Sequence, residues 1–295
     1  MSRTAPSLEL CDTVSQWYRR AARDLPWRAP GVGAWPVLVS EVMLQQTPVS
    51  RVIPAWRAWL ARWPTPADHA AASAGDAVRM WGKLGYPRRA LRLHECARTL
   101  VAQHAGVVPS DVAELEALPG IGAYTARAVA VFAYGARHPV VDVNVRRVVA
   151  RVVHGQGRPA PPSATRDHAA VAALLPDDPV DAARASVALM ELGAVVCTAR
   201  APRCHSCPVA ASCAWLAAGS PPYTGPTVPT QRFAGTDRQV RGLLLDVLRG
   251  AHAPVTRAAL DLAWPHAPQR ERALDTLVAD GLVDPLPDGR FALPA

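Results

Sequence analysis

The sequence predicts an all-α region over roughly its first two hundred residues, then a linker, then a small unit of three helices and a β-hairpin. Three observations predict it. Apolar residues in the first part recur at spacings of three and four, punctuated by Pro and Gly. Strand-like alternation is scarce there. Residues 217–236 are rich in Pro, Gly, Ser and Thr, the composition of a linker.

A chain of 295 residues supports two domains and a well-buried core. No apolar run is long enough to span a bilayer. Met1 to Arg20 mixes charged residues with single apolar ones and lacks the apolar core of a signal peptide. The chain therefore reads as cytoplasmic, with no membrane partner. The net charge of +8 and pI near 9.7 favour an anionic partner, of which nucleic acid is the commonest. Lys83 is the single lysine among 32 basic residues. Arginine enrichment in a chain crowded with Ala, Val and Pro reflects a composition bias, so it is not by itself a sign of phosphate binding. The lysine count does restrict chemistry, because a Schiff base needs an amine and only Lys83 and the N-terminus offer one.

Along the chain, Val37 to Thr47 reads as a helix in which Val37, Leu38 and Leu44 lie one turn from Glu41 on the same side. A carboxyl among such neighbours should have a raised pKa, the condition for a general acid near neutral pH. The ordinary alternative is a surface glutamate on a helix edge. Gly82-Lys83-Leu84-Gly85-Tyr86 reads as a tight turn carrying a tyrosine. Asp111 can cap a short helix, with Glu114 at the capping-box position. That helix ends at Leu118-Pro119-Gly120-Ile121-Gly122, and a second runs from about Ala123 through Ala136. Gly120 and Gly122 allow the turn and a close backbone approach. The free N–H groups and dipole of the second helix suit an anion such as a DNA phosphate. In Val141-Asp142-Val143-Asn144-Val145-Arg146-Arg147, an Asp in an apolar stretch is unusual. It either caps the helix containing Arg146 or serves chemistry, and a cap can leave one oxygen free for both.

Gly155 to Arg166 reads as a loop. Cys197, Cys204, Cys207 and Cys213 fall within seventeen residues. In a cytosolic chain such clustering points to metal rather than disulfides. Structural zinc usually takes two Cys-x2-Cys knuckles, and one is present here. A single tight loop of four thiolates suits one [4Fe–4S] cubane better. Cys11 and Cys96 are isolated and read as small core residues. Beyond the linker, Val240, Leu243, Leu244, Val247 and Leu248 mark one helix. A second starts near Thr256, and a third carries Leu274, Leu277 and Val278, closed by Gly281. Val283 to Leu293 then forms a hairpin around Asp288-Gly289. This is the order of a winged helix, a unit that binds DNA in some proteins and only packs in others.

Several of these strings resemble one family. Glu191-Leu192-Gly193-Ala194 leading into Cys197, with Pro208 after the third cysteine, is similar to the cluster loop of the endonuclease III superfamily of DNA glycosylases. Leu118 to Gly122, followed by Tyr124-Thr125-Ala126 and by Asp142, resembles the helix–hairpin–helix signature of that superfamily. Ser40-Glu41-Val42-Met43-Leu44-Gln45-Gln46-Thr47 looks like its adenine-specific MutY branch. The resemblance covers about residues 24 to 216. It implies a helix–hairpin–helix glycosylase fold: a six-helix barrel over residues 29–135, and an iron–sulfur lobe from residues 1–28 and 136–216. A linker over 217–236 and the winged-helix-like unit over 237–295 complete the chain.

The resemblance also implies roles. Glu41 would protonate adenine at N7, and ionised Asp142 would stabilise the oxocarbenium-like sugar. Tyr124 and Asn144 would hydrogen-bond around the Asp and the sugar. Tyr124 stands where backbone-cutting members carry a lysine, which implies a monofunctional enzyme. Gln45, Gln46 and Tyr86 would meet the lesion, with the tyrosine as a wedge. Gly120 and Gly122, together with Arg200 and Arg203, would meet phosphate. Glu41 and Asp142 are expected on opposite walls of a cleft. The implied partner is duplex DNA with a mispaired adenine, bound by a monomer. Typical members carry a larger Nudix-like domain that recognises 8-oxoguanine, and here only the short unit stands in its place. A thymine or uracil mismatch glycosylase is the nearest rival, and N7 protonation by Glu41 is purine chemistry. The rival from another class is a non-catalytic, cluster-bearing DNA-binding or redox-sensing protein.

Overall fold

In the computed structural model of the chain, residues 5–223 and 232–295 are described. Residues 1–4 of the expected cluster lobe and 224–231 of the expected linker lie outside the described residues. The helices in chain order are α1 (Ala5–Ala21), α2 (Ala34–Leu44), α3 (Val49–Arg62), α4 (Pro66–Ala70), α5 (Ala74–Trp81), α6 (Arg88–His104), α7 (Val112–Ala117) and α8 (Ala123–Tyr134). They continue with α9 (Val143–Val152), α10 (Ala164–Ala172), α11 (Pro179–Val195), α12 (Ala214–Ala217), α13 (Asp237–Gly250), α14 (Arg257–Asp261) and α15 (Ala267–Ala279). Two short strands follow, β1 (Asp284–Pro285) and β2 (Phe291–Ala292), paired antiparallel. No described helix is long and apolar enough to cross a membrane. Contacts divide the chain into two compact units, each built from separate stretches of sequence.

The first unit takes the N-terminal segment through Val37, Ser110–Glu116, and the stretch that begins at Gly122. Its elements start where the sequence offers caps. Asp178 accepts from Asp181 N at the head of α11, with Pro179 in the first turn, where its missing N–H is harmless. Asp111 accepts from Ala113 N and Glu114 N at the head of α7. The core forms where α1 and α9 meet α11, with α10 packed against α9. Val145, Val148, Val149 and Val152 place one stripe of α9 inward, against Leu10, Cys11 and Val14 of α1 and Ala185, Ala188, Leu189 and Leu192 of α11. Alanines along α11 let these backbones approach closely. Glu191 is fully buried in the same helix and is held by Arg23 (2.6 Å) and Arg28 (3.0 Å), which ties the N-terminal segment to α11. These hydrogen-bonded cations outweigh burial and keep the Glu191 carboxyl below its usual range. Cys11 is a buried core residue, as expected.

The second unit takes Leu38–Pro109, Ala117–Ile121 and the C-terminal segment. Thr65 and Asp68 form a capping box on α4, and Ser73 caps α5. Trp59 of α3 and Trp81 of α5 are buried edge to face, and Trp59 also meets His69 of α4. Cys96 is buried on α6, and burial pushes its thiol up to about 12, which leaves it inert at neutral pH.

The C-terminal helices pack within this unit. Val240, Leu244, Leu245 and Leu248 turn inward from α13, whereas Leu243 and Val247 sit only half-buried. Thr256 caps α14 as expected. The hairpin pairs Asp284 with Ala292 and Pro285 with Phe291, and Gly289 takes the left-handed turn position at φ +78°. An added bridge joins Phe291 to Val255, between α13 and α14.

His69 gives this unit a pH dependence. It has no exposed surface, and burial, assisted by the nearby His94, pushes its imidazole from 6.5 down to about 3. The folded state keeps it neutral, while the unfolded chain takes up a proton at 6.5. Stability from this group is present above that value. It is lost as pH falls from 6.5 toward 3, at up to roughly 1.4 kcal/mol per pH unit. Denaturant unfolding of the wild type and His69→Phe at a series of acidic pH values checks this, and the slope of stability against pH should be shallower in the variant.

Candidate active site

Glu41 lies at the inner face of α2, with 6% of its surface exposed. Leu38, Val39, Ser40, Val42 and Met43 around it are buried too. This helix is apolar on nearly every side, so the carboxyl sits within the packing rather than on a helix edge.

The end of α2 is held by Arg89 of α6. One guanidinium nitrogen donates to the carbonyls of Val42 (2.8 Å), Met43 (3.2 Å) and Gln45 (2.6 Å). The last carbonyls of a helix lack partners within it, and Arg89 supplies one. Its other terminal nitrogen donates to Thr47 Oγ1 (3.1 Å) and Gly85 O (3.0 Å). The guanidinium also stacks over the rings of Trp81 and Tyr86, at 5.2 and 5.4 Å. Burial pushes its pKa down to about 10, which leaves it charged at neutral pH. Arg89 thus joins Gln45 and Thr47, on either side of Gln46, to the Gly82–Tyr86 turn. Gln46 and Tyr86 are both exposed and both left-handed, at φ +55° and +48°. Sequence reading missed Arg89, because one arginine among many gives no signal of a partner some forty residues away.

In the helix–hairpin–helix segment, Gly120 takes φ +77°, and a Cβ there would lie 2.6 Å from Arg92 Cβ. Gly122 behaves differently from expectation. Its φ is an ordinary −97°, and a Cβ would meet no protein atom within 4 Å. The turn itself therefore requires only Gly120, while Gly122 leaves open space at the head of α8. That helix ends at Tyr134, two residues earlier than expected, because Gly135 takes the left-handed cap at φ +70°.

In the first unit, Asp142 caps α9. Its Oδ1 accepts from Asn144 N (2.9 Å) and Val145 N (2.7 Å). Its Oδ2 is not left to solvent as the sequence allowed, since it accepts from Asn144 Nδ2 at 2.7 Å. Burial raises the Asp142 pKa above its ordinary value, more than these hydrogen bonds and the Arg147 charge lower it. Asn144 Oδ1 in turn accepts from Arg147 (2.7 Å), which also donates to Gly193 O (2.7 Å) and Cys197 O (2.6 Å). Tyr124 packs on the cluster of Ala128, Val131 and Val140 that leads into this segment.

The four cysteines line one cavity, together with Arg151, Trp215 and Leu192. Arg151 is buried. It donates to Cys197 Sγ (3.4 Å) and to the carbonyls of Thr198 (2.8 Å) and Ala199 (3.2 Å). Burial and repulsion from the neighbouring cysteines push the Cys207 thiol up to about 11. Among the described residues, no three His, Cys, Asp or Glu side chains converge as a single metal ion requires. Arg200 and Arg203 are exposed on the same loop.

Gly193 packs on the head of α9. A Cβ there would lie 2.7 Å from Asn144 Cβ and 2.8 Å from Asn144 O. Gly193→Ala should therefore push α9 away and lower stability by about 1–3 kcal/mol, read as a fall in melting temperature.

Residues 39–171 match the model of the HhH-GPD superfamily of base excision DNA repair proteins. Over 279 residues, 94% of this chain and 91% of the relative, the sequence is 61% identical to the adenine DNA glycosylase of Mycobacterium tuberculosis. It is 42% identical to the human adenine DNA glycosylase over 68% of this chain and 38% of the relative. A thermostable thymine-DNA glycosylase (TM-score 0.65, 24% identity, 72% of this chain and 97% of that one) shares the fold. So does an endonuclease III–DNA complex (TM-score 0.62, 22% identity, 73% and 97%). With these similarities across nearly its whole length, the chain belongs to the MutY family of adenine DNA glycosylases.

Proposed function

We propose that the chain hydrolyses the N-glycosidic bond of adenine mispaired with 8-oxoguanine or guanine in duplex DNA, as a monomer. The observation that carries this is the buried carboxyl of Glu41 in the family's adenine-specific string. An ionisable group is seldom placed inside an apolar helix face for packing alone.

The adenine first leaves the stack, at a cost of roughly a few kcal/mol that a mispair lowers. Tyr86 enters the duplex beside it, while Gln45 and Gln46 read the lesion site. Glu41, protonated, gives its proton to adenine N7 and makes the base a better leaving group. Asp142, ionised, faces the positive charge that develops on the sugar. Asn144 holds Oδ2 of Asp142, and the start of α9 holds Oδ1, so the carboxylate cannot rotate away as charge builds. Water completes the hydrolysis. Tyr124 supports the Asp142 segment from α8 without a nucleophilic amine, and the single lysine, Lys83, is engaged with Asp246. DNA phosphate meets the head of α8 at Gly120 and Gly122, and Arg200 and Arg203 on the cysteine loop.

Cys197, Cys204, Cys207 and Cys213 would hold a [4Fe–4S] cluster. Four thiols around one cavity suit a group with volume, and the buried Arg151 offsets thiolate charge there. Bound there, the group would cross-link residues 197–213 and so hold the loop that carries Arg200 and Arg203.

Single-turnover assays on duplexes with adenine opposite 8-oxoguanine, guanine or cytosine test the reading. Glu41→Gln should reduce adenine release by at least about a thousandfold, with DNA affinity retained. Release by the variant at wild-type rates would overturn the assignment. The wild-type rate should also fall on the acid side. Asp142 must be ionised and its pKa is raised, so the acid limb should lie above the ordinary carboxyl value of 3.8.

A further inference from the structure

We infer that the C-terminal unit is a brace for the Gly82–Tyr86 turn, not a reader of DNA. Two arginines join it to α5 reciprocally. Arg79 donates to Arg249 O (3.2 Å) and Ala251 O (3.0 Å), and Arg249 donates back to Val78 O (3.1 Å). Gly75 N donates to Pro294 O at 2.7 Å, and any Cβ at that glycine would lie 2.4 Å from the same oxygen. Asp246 of α13 then meets Lys83 (3.3 Å), inside the turn. Asp280, just past α15, meets Arg88 (3.3 Å) on the far side of it, while Arg241 (2.6 Å) holds Asp280 in place. The contacts at 75, 78, 79, 83 and 88 therefore bracket the turn.

The turn needs bracketing. Gly82 and Gly85 take positive φ, +52° and +87°, without steric cost, but Tyr86 takes φ +48° with a full side chain. A left-handed non-glycine residue persists where the surroundings over-determine it. The Lys83 and Arg88 ion pairs are exposed and hold little by themselves. The half-buried guanidinium–carbonyl pairs are the anchors, and the ion pairs fix direction.

Charge argues against phosphate binding by this unit. Residues 237–295 carry seven arginines against eight carboxylates, in a chain whose net charge is +8. Arg241, Arg249, Arg257, Arg270, Arg272 and Arg290 each face a carboxylate of the same unit. A surface that neutralises its own cations has little left to release counterions from DNA.

The inference rests on the proposed role of Tyr86 at the lesion, and Arg249→Ala in the full chain tests the two separately. Hydrogen exchange of residues 82–86 should quicken about tenfold, while α9 and α11 keep wild-type protection. Unchanged exchange in the turn, or a uniform rise across the chain, overturns the brace whatever the enzyme does. In single-turnover assays, the variant should lose about tenfold with adenine opposite 8-oxoguanine. It should lose no more than about twofold with adenine opposite an abasic analogue, where the base is already unpaired and costs less to extrude. Equal loss on both duplexes, or a shallower dependence of DNA affinity on salt, also overturns it. If Arg249→Ala fails to fold, Arg79→Ala removes the reciprocal bonds to Arg249 O and Ala251 O from the α5 side and is read the same way. If the wild type releases no adenine, the function falls, and the exchange result still decides the brace.

Discussion

The run of polar contacts from Asp142 to the cysteine loop is the constraint on which the first unit depends. Asp142 caps α9, Asn144 closes its second oxygen, and Arg147 links Asn144 to the carbonyls of Gly193 and Cys197. The carboxylate proposed to face the sugar and the first proposed cluster ligand are therefore positioned by the same guanidinium. This explains why α11 carries a glycine where it meets α9: any side chain at 193 would separate the two ends of the run. It also gives the proposed cluster a route to the chemistry without a chemical part in it. Whatever fixes residues 197–213 also fixes the acceptor that Arg147 needs.

Arginine is the common device. Arg89, Arg147, Arg151 and Arg249 each send fork nitrogens to backbone carbonyls far away in sequence. A guanidinium suits this use because it offers five donors in a plane, stays charged when partly buried, and satisfies helix ends that have no internal partner. Part of the basic content visible in the composition is thus engaged inside the protein, in holding backbone rather than in facing solvent.

The local part of this architecture was legible in the sequence. The caps at Asp111, Asp142 and Thr256, the turn at Gly120, the hairpin at Gly289 and the burial of Glu41 each follow from a few adjacent residues. The boundaries of α8 and the inward face of α13 were off by small amounts, since a glycine cap and tertiary packing decided them. What could not be read was pairing at long range. Nothing near Arg89 announces the end of α2, and nothing near Glu191 announces Arg23. The bias toward arginine removed even the weak signal that a lone cation would have given. The freedom expected at Asp142 Oδ2 was lost for the same reason of geometry: Asn144 is two residues away, and only the helix start reveals that its amide reaches back.

Two strained residues bear on what the second unit is for. Gln46 sits just past α2, where a helix end usually places glycine, and Tyr86 follows Gly85 in a turn where a second glycine would fit without cost. A fold selected only for stability would put glycine at both positions, since a left-handed non-glycine residue costs on the order of 1–3 kcal/mol. Each instead carries a large side chain that reaches solvent. The Arg89 guanidinium lies over the Tyr86 ring and holds Gln45 O and Thr47 Oγ1 on either side of Gln46, and these contacts offset the strain. The Tyr86 ring and the backbone on either side of Gln46 are therefore held in place before any DNA arrives. A wedge that must enter a duplex gains from this arrangement, because ordering entropy already lost in the free protein need not be lost again on binding.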